Sequence, residues 1–171
     1  MLVRDEREGD AGAIRAIVAE AFAPMPFASG TEPLLVDELR RRGALTLSLV
    51  AEDDGAVVGQ VAFSPVTIGG INANWYGLGP VAVTPERQRQ GIGSALIRQG
   101  LARLRAIGAG GCVLIGNPAY YGRFGFRRNP RVTYPEGPPS ACQILPFGAT
   151  IPEGEIAFHA AFGVKATAND T

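Results

Sequence analysis

The stretch VAVTPERQRQGIGSAL, residues 81–96, brings together residue types that suit an anion. Val81, Ala82 and Val83 read as the end of a strand, Gly91-Ile92-Gly93 opens a run with helical spacing, and Arg87 and Arg89 stand just ahead of it. The first turn of a helix carries N–H groups without intrahelical acceptors and the positive end of the helix dipole. Glycine lets a ligand approach that backbone closely. Together these features suit a pyrophosphate. Two other phosphate motifs do not fit. A P-loop needs GxxxxGK[ST], and no lysine lies near Gly93. The run Gly77-Leu78-Gly79-Pro80-Val81-Ala82 has the letters of a dinucleotide fingerprint but leads into a strand instead of a helix. The plainer use of Gly91 and Gly93 is tight packing of a helix on a sheet.

These residues need a scaffold, and its elements can be read from periodicity. Residues 2–5 suit a short strand. Gly9-Asp10 offers an N-cap for a helix with Ile14, Ile17, Val18, Ala21 and Phe22 at helical spacing, ended by Pro24 and Pro26. Residues 24–31 read as a loop. Thr31 or Ser29 can cap a second helix to about Arg42, with Leu34, Leu35 and Leu39 on one face and Gly43 as its stop. TLSLVAEDDGAVVGQVAFSPV then reads as two strands joined at Asp53-Asp54-Gly55, and INANWYGLGPVAV as a third strand after Gly69-Gly70. Helical period returns with Ile92, Leu96, Leu104 and Ile107. GCVLIGN is a short buried strand, PAYYGRF a short helix with Pro118 at its first position, 129–152 loop with short strands, and EIAFHAAF a final strand. The order β, α, α, β-meander, α, β, α, β predicts a mixed α/β or α+β fold in one domain spanning 1–171.

Composition narrows the classes of function. The chain has 171 residues, 46% apolar and 19% charged, an ordinary globular balance. Sixteen basic and sixteen acidic residues cancel, so net charge argues against nucleic acid or an anionic membrane as partner. No run of 18 apolar residues predicts a spanning helix, and residues 1–10 resemble no signal peptide, so a cytoplasmic protein is expected. Cys112, Cys142 and His159 are too few for a disulfide framework or a metal site. The charge is nonetheless uneven. Residues 86–131 hold nine arginines and one acid, against eleven acids and six arginines in 1–54. A local excess of arginine in a neutral chain points to a small polyanionic ligand; the alternative is arginine on solvated helix faces.

Gln88-x-x-Gly91-x-Gly93, between an apolar strand and a helix, resembles the acetyl-CoA-binding motif Q/R-x-x-G-x-G/A of the GNAT N-acetyltransferases. Asn117-Pro-Ala-Tyr-Tyr121-Gly-Arg-Phe-Gly125-Phe126 resembles the N…Y-x-x-x-G-F stretch of the same family, and one helix and one short strand separate the two segments as the family requires. The resemblance covers about residues 2–126. With the SLVAEDDGAVVGQVAFSPV hairpin, it is strongest to the bacterial YhbS-like subgroup. It implies the GNAT fold, a mostly antiparallel central sheet flanked by helices, whose fourth strand is bulged and splays from the fifth; Gly79-Pro80 is the natural bulge site. It implies acetyl-CoA as cofactor. Backbone groups of Val81 and Val83 would bond the pantetheine arm, and an N–H there would polarise the thioester carbonyl. Following Gln88, the N–H groups of Arg89, Gln90, Gly91, Ile92, Gly93 and Ser94 would hold the pyrophosphate, and Asn117 would bond the arm from the opposite side. Tyr121 matches the family's general acid: a phenol of pKa ~10 can protonate a leaving thiolate of pKa ~8.5. Its plain alternative is a packing tyrosine.

The general base is less legible. Glu32, at the start of the second helix, is the candidate; an ordinary helix-start acid is the alternative, as is a water relay. His159 reads as a core or surface histidine of the last strand, and Cys112 as core. The reading is an N-acetyltransferase working by direct attack of an amine in a ternary complex, with no metal. A non-catalytic acyl-CoA-binding sensor is the rival. The acceptor is a small-molecule or peptide amine, and a homodimer is compatible with the sequence.

Overall fold

A computed structural model describes residues 1–25 and 30–163. Pro26 and Ser29, named above as a helix stop and a cap, lie outside the described residues. The strands β1 (Leu2–Asp5), β2 (Leu47–Asp53), β3 (Ala56–Ile68), β4 (Trp75–Val83), β5 (Gly111–Ile115) and β7 (Cys142–Pro146) follow one another in hydrogen-bonded order, with β8 (Gly154–Phe158) on the far part of β3 and β6 (Val132–Thr133) beside β8. The sheet is mostly antiparallel, as expected. Two compact units divide the chain: Met1–Phe63, Gly79–Gly100 and the stretch from Ala160 form one, Ser64–Leu78 and Leu101–His159 the other. Among the described residues no helix is long and apolar enough to cross a membrane.

In the first unit, β1 (Leu2–Asp5) pairs antiparallel with β2 (Leu47–Asp53), which pairs with β3 (Ala56–Ile68). Asp54 and Gly55 join β2 to β3 with φ of 50° and 78°, the pair of positive values a tight hairpin turn demands. The helix α1 (Ala11–Phe22) buries Ile14, Ile17, Val18 and Ala21 in a cluster with Val36, Val50 and Ala82. Asp10 precedes α1, but its side chain makes no cap. Instead Oδ2 accepts from the Arg7 N–H at 2.7 Å and from the Arg4 guanidinium at 2.8 Å, a pairing of opposite charges that a helix N–H does not offer. The helix α2 (Glu32–Arg41) buries Leu35, Val36 and Leu39, so its inner face is turned one residue from the predicted one and Leu34 is half-exposed. Thr31 stands at its N-cap position, but its side chain makes no capping hydrogen bond to the helix.

Two glycines bring the next helix, α3 (Ile92–Ala106), onto this layer. A Cβ on Gly59 would meet Leu96 at 3.1 Å and Ile92 at 3.2 Å; one on Gly100 would overlap the Phe63 ring at 2.2 Å. Ile92 and Leu96 are buried as the periodicity predicts, and so is Leu104, but Ile107 is 55% exposed because α3 ends at Ala106, before the stripe reaches it.

In the second unit, the start of β4 (Trp75–Val83) lies parallel to β5 (Gly111–Ile115), and β5 pairs antiparallel with β7 (Cys142–Pro146). The end of β3 pairs with β8 (Gly154–Phe158), which lies parallel to the two-residue β6 (Val132–Thr133). Val66, Ile68, Trp75, Val113, Val132, Cys142, Ile144 and Ile156 form the core. The last strand is shorter than predicted. It stops at Phe158, and Ala160–Gly163 form a 3-10 turn, so His159 lies outside any strand and is half-buried.

Candidate active site

The glycine turn of the first unit is built from the end of β4. Thr84 anchors that end to β3: its backbone N–H and its hydroxyl both donate to the Val58 carbonyl at 2.9 Å. Pro85–Arg87 then make one 3-10 turn. The Gln88 side-chain amide reaches back to donate to the Val83 carbonyl at 3.1 Å. Arg87 pairs with Asp53 at 2.7 Å and donates from Nε to Gln90 Oε1 at 3.1 Å, while Gln90 Nε2 donates to the Glu86 carbonyl at 3.2 Å. The neighbouring guanidinium holds the Asp53 carboxyl below its ordinary pKa. Arg89 and Gly91 take φ of 62° and 84°, which turns the chain sharply into α3.

Gly91 closes the turn, and its carbonyl accepts the Ala95 N–H at 3.0 Å. The N–H groups of Ile92, Gly93 and Ser94 therefore precede the first intrahelical bond. Ile92 anchors the turn with a buried side chain, whereas Gln88, Arg89, Gln90 and Gly91 are exposed and Gly93 and Ser94 half-exposed. No acid stands in the first turn of α3, so nothing within the helix neutralises its positive end. Of the two valines, Val81 and Val83 are half-buried on either side of core-facing Ala82. The Val83 carbonyl is thus engaged by Gln88, which gives Gln88 a loop-holding contact instead of an outward one. Arginines of the basic stretch are partly committed too: Arg105 lies over Phe147 at 4.5 Å, Arg123 over Tyr120 at 4.4 Å, and Arg131 pairs with Glu153 at 3.4 Å.

The tyrosine segment belongs to the second unit. Pairing of β4 with β5 runs for three residues, Trp75↔Gly111 to Gly77↔Val113, although β4 itself continues to Val83 and β5 to Ile115. The backbone of β4 is irregular at Gly79, with φ of 138°, where the bulge is predicted. Beyond β5, Asn117 caps the short helix α4 (Pro118–Tyr121): its Oδ1 accepts the Ala119 N–H at 3.0 Å, and Pro118 occupies the first helical position. One acceptor of Asn117 is thereby committed to the helix it starts. Gly125, at φ 100°, closes the next 3-10 turn, which explains the glycine of the YxxxGF spacing.

Tyr121 lies edge-to-face with Tyr120 at 4.9 Å and with buried Phe126 at 6.2 Å between ring centroids. Gly116 makes room for its ring, since a Cβ there would fall 2.6 Å from Cε2. Burial pushes the phenol pKa up to about 12, with a smaller contribution from Tyr120. No hydrogen bond holds its hydroxyl among the described residues. Both Tyr120 and Tyr121 are half-buried.

Glu32 is the first residue of α2, half-buried, with Oε2 shielded from solvent. The structure therefore gathers Val83 and residues 88–94 in one unit and Asn117 with Tyr121 in the other, while Glu32 heads a different helix from the glycine turn. Both cysteines are buried and their pKa values raised by desolvation, unlike an activated nucleophile. Sequence reading passed over Gly116 and Gln143. Gln143 has one signal, a lone polar residue in the otherwise apolar strand CQILP.

Residues 3–128 match the family model of the acetyltransferase (GNAT) domain. Over 127 residues, 74% of this chain and 73% of the relative, the chain is 43% identical to the uncharacterised N-acetyltransferase YhbS of Escherichia coli strain K12. A crystal structure of a GNAT family acetyltransferase from Brucella melitensis, in complex with acetyl-CoA, is 51% identical with a TM-score of 0.85, covering 94% of this chain and 97% of that one. The structure of Escherichia coli YhbS in complex with CoA is 36% identical with a TM-score of 0.86, covering 96% and 93%. The chain belongs to the GNAT family of acetyltransferases.

Proposed function

We propose that this protein binds acetyl-CoA and transfers its acetyl group to a small-molecule or peptide amine by direct attack in a ternary complex, the whole chain acting as one catalytic domain. The observation that carries the reading is the exposed turn at Gly91, where successive backbone N–H groups head a 15-residue helix with no acid in its first turn. Such an end suits a pyrophosphate, and relatives at 51% and 36% identity are solved with acetyl-CoA and CoA.

The residues fit that cofactor by the chemistry of their donors. Arg89, Gln90, Gly91, Ile92, Gly93 and Ser94 offer backbone N–H groups to the pyrophosphate, and Gln88 keeps the turn in shape through Val83. Backbone groups of Val81 and Val83 bond the pantetheine arm and polarise the thioester carbonyl, and the Asn117 amide bonds the arm as well. When bound, acetyl-CoA supplies an acetyl thioester with a thiolate leaving group. Tyr121 is the proton donor toward that sulfur. Its raised pKa, about 12, keeps the hydroxyl protonated, as a donor requires. Against a thiol of pKa ~8.5 complete transfer runs uphill. The hydroxyl therefore acts through a hydrogen bond that strengthens as charge grows on sulfur. Glu32 takes a proton from the incoming ammonium.

Calorimetric titration with acetyl-CoA, CoA and dephospho-CoA tests the cofactor assignment, and thiol release from acetyl-CoA across a panel of amines tests transfer. One-site binding with amine-dependent release of CoA is expected. Binding without release by any amine would leave a sensor, and no binding at all would reduce the glycine turn to a packing device.

A further inference from the structure

We propose that Gln143 is a positioning residue for Tyr121: its side-chain amide clamps Gly116, the backbone against which the Tyr121 ring rests. The inference rests on the reading of Tyr121 as proton donor and adds a residue outside both motif segments.

Gln143 lies in β7, opposite Leu114 of β5, and is 1% exposed. Its Nε2 donates to the Gly116 carbonyl at 3.1 Å and to the Ala141 carbonyl at 3.4 Å. Ala141 also accepts the Gly116 N–H at 2.9 Å. The residue that leaves β5 for α4 is thus held at its N–H by Ala141, just ahead of β7, and at its C=O by Gln143 within β7. Both partners of the side chain are carbonyls, so only the NH2 end of the amide can face them, and this fixes which way round the amide lies.

That orientation turns Oε1 away, buried and without a hydrogen-bond partner among the described residues. A buried acceptor left unmatched is unfavourable, and methionine or leucine would fill the same space without it. What glutamine adds here is its donor end, and the donor end goes to Gly116 and Ala141. Gly116 in turn sets the ring: a Cβ on it would stand 2.6 Å from Cε2 and 3.0 Å from Cδ2 of Tyr121. A shift of a few tenths of an ångström in that backbone therefore moves the ring, and its hydroxyl with it.

The test uses full-length Gln143→Met, which keeps length but removes both donors, and Gln143→Glu, which donates only when its buried carboxyl is protonated. Carbon-13 labelling of the four tyrosines, with Tyr121→Phe to assign the signal, reports the ring directly. A shifted Tyr121 signal is expected in Gln143→Met, together with a kcat for CoA release about tenfold lower and an unchanged KM for acetyl-CoA. In Gln143→Glu the activity relative to wild type should recover as pH falls and the carboxyl regains its proton. An unshifted Tyr121 signal in folded Gln143→Met, or a rise in its KM without a fall in kcat, overturns the proposal. In the wild type, the Gln143 side-chain amide protons should exchange slowly with solvent; fast exchange would overturn the clamp without any variant. Should Tyr121→Phe leave CoA release intact while Gln143→Met still shifts the ring, the donor role fails and the clamp stands.

Discussion

The side-chain amide of Gln88 donates to the backbone carbonyl of Val83 at 3.1 Å, tying the first residue of the glycine motif to the end of the strand before it. The turn between them would otherwise be held by Thr84 at one side and by the exposed Arg87–Gln90 pair at the other. Gln88→Ala should leave the fold intact and weaken acetyl-CoA binding by about three- to tenfold, the range expected for one partly exposed hydrogen bond. Calorimetry on the variant checks it.

Gly116→Ala places a methyl group inside the space of the Tyr121 ring. The ring has to move, since Leu114 lies close on the other side, with Cδ1 3.3 Å from that methyl. The expected outcome is a kcat at least about tenfold lower with acetyl-CoA affinity changed less than about threefold, because misplacement of an acid affects the reaction more than binding. Steady-state kinetics beside calorimetry separates the two.

Tyr121→Phe removes the hydroxyl and keeps the ring that packs against Phe126. CoA release should slow by about a hundredfold or more, the usual contribution of a positioned acid, while thermal stability stays within about 0.5 kcal/mol, since no bond to the hydroxyl is lost. Tyr120→Phe, at the ring that lies under Arg123, should change the rate little.

Alkaline pH should act on stability through the same residue. Burial raises the Tyr121 pKa from its ordinary 10 to about 12, so the folded state favours the neutral phenol more than the unfolded chain does. That contribution is complete below pH 10, shrinks as the unfolded chain ionises, and is lost as pH rises through about 12. The loss amounts to about 3 kcal/mol once pH has passed about 12. Other alkaline groups, the two buried cysteines among them, are common to wild type and Tyr121→Phe, so their titration cancels in the comparison. Urea midpoints from pH 9 to 11.5 should fall more steeply for wild type than for Tyr121→Phe.

Much of the scaffold was legible because local chemistry decides it. The Asp54-Gly55 hairpin needs two positive φ values, Pro118 suits a first helical position, and Ile14, Ile17, Val18 and Ala21 repeat with the period of a helix and are buried together. The glycine motif and the YxxxGF spacing were legible for the same reason, since Gly91 and Gly125 both take left-handed φ. What local pattern could not give was which way a side chain is recruited. Asp10 reads as a cap, yet Arg4 and Arg7 claim it; Ile107 continues a stripe, yet its helix stops one residue earlier.

Taken alone, the sequence determined the element types and the turn at Gly91, because backbone conformation acts over a few residues, and its resemblance to the GNAT motifs implied Tyr121 as the candidate acid. Tertiary structure decided the environment of that acid. The high pKa of Tyr121, the space opened by Gly116 and the clamp from Gln143 join residues up to 27 positions apart in the chain. Desolvation and close contact depend on what the fold brings alongside, and no local period encodes that.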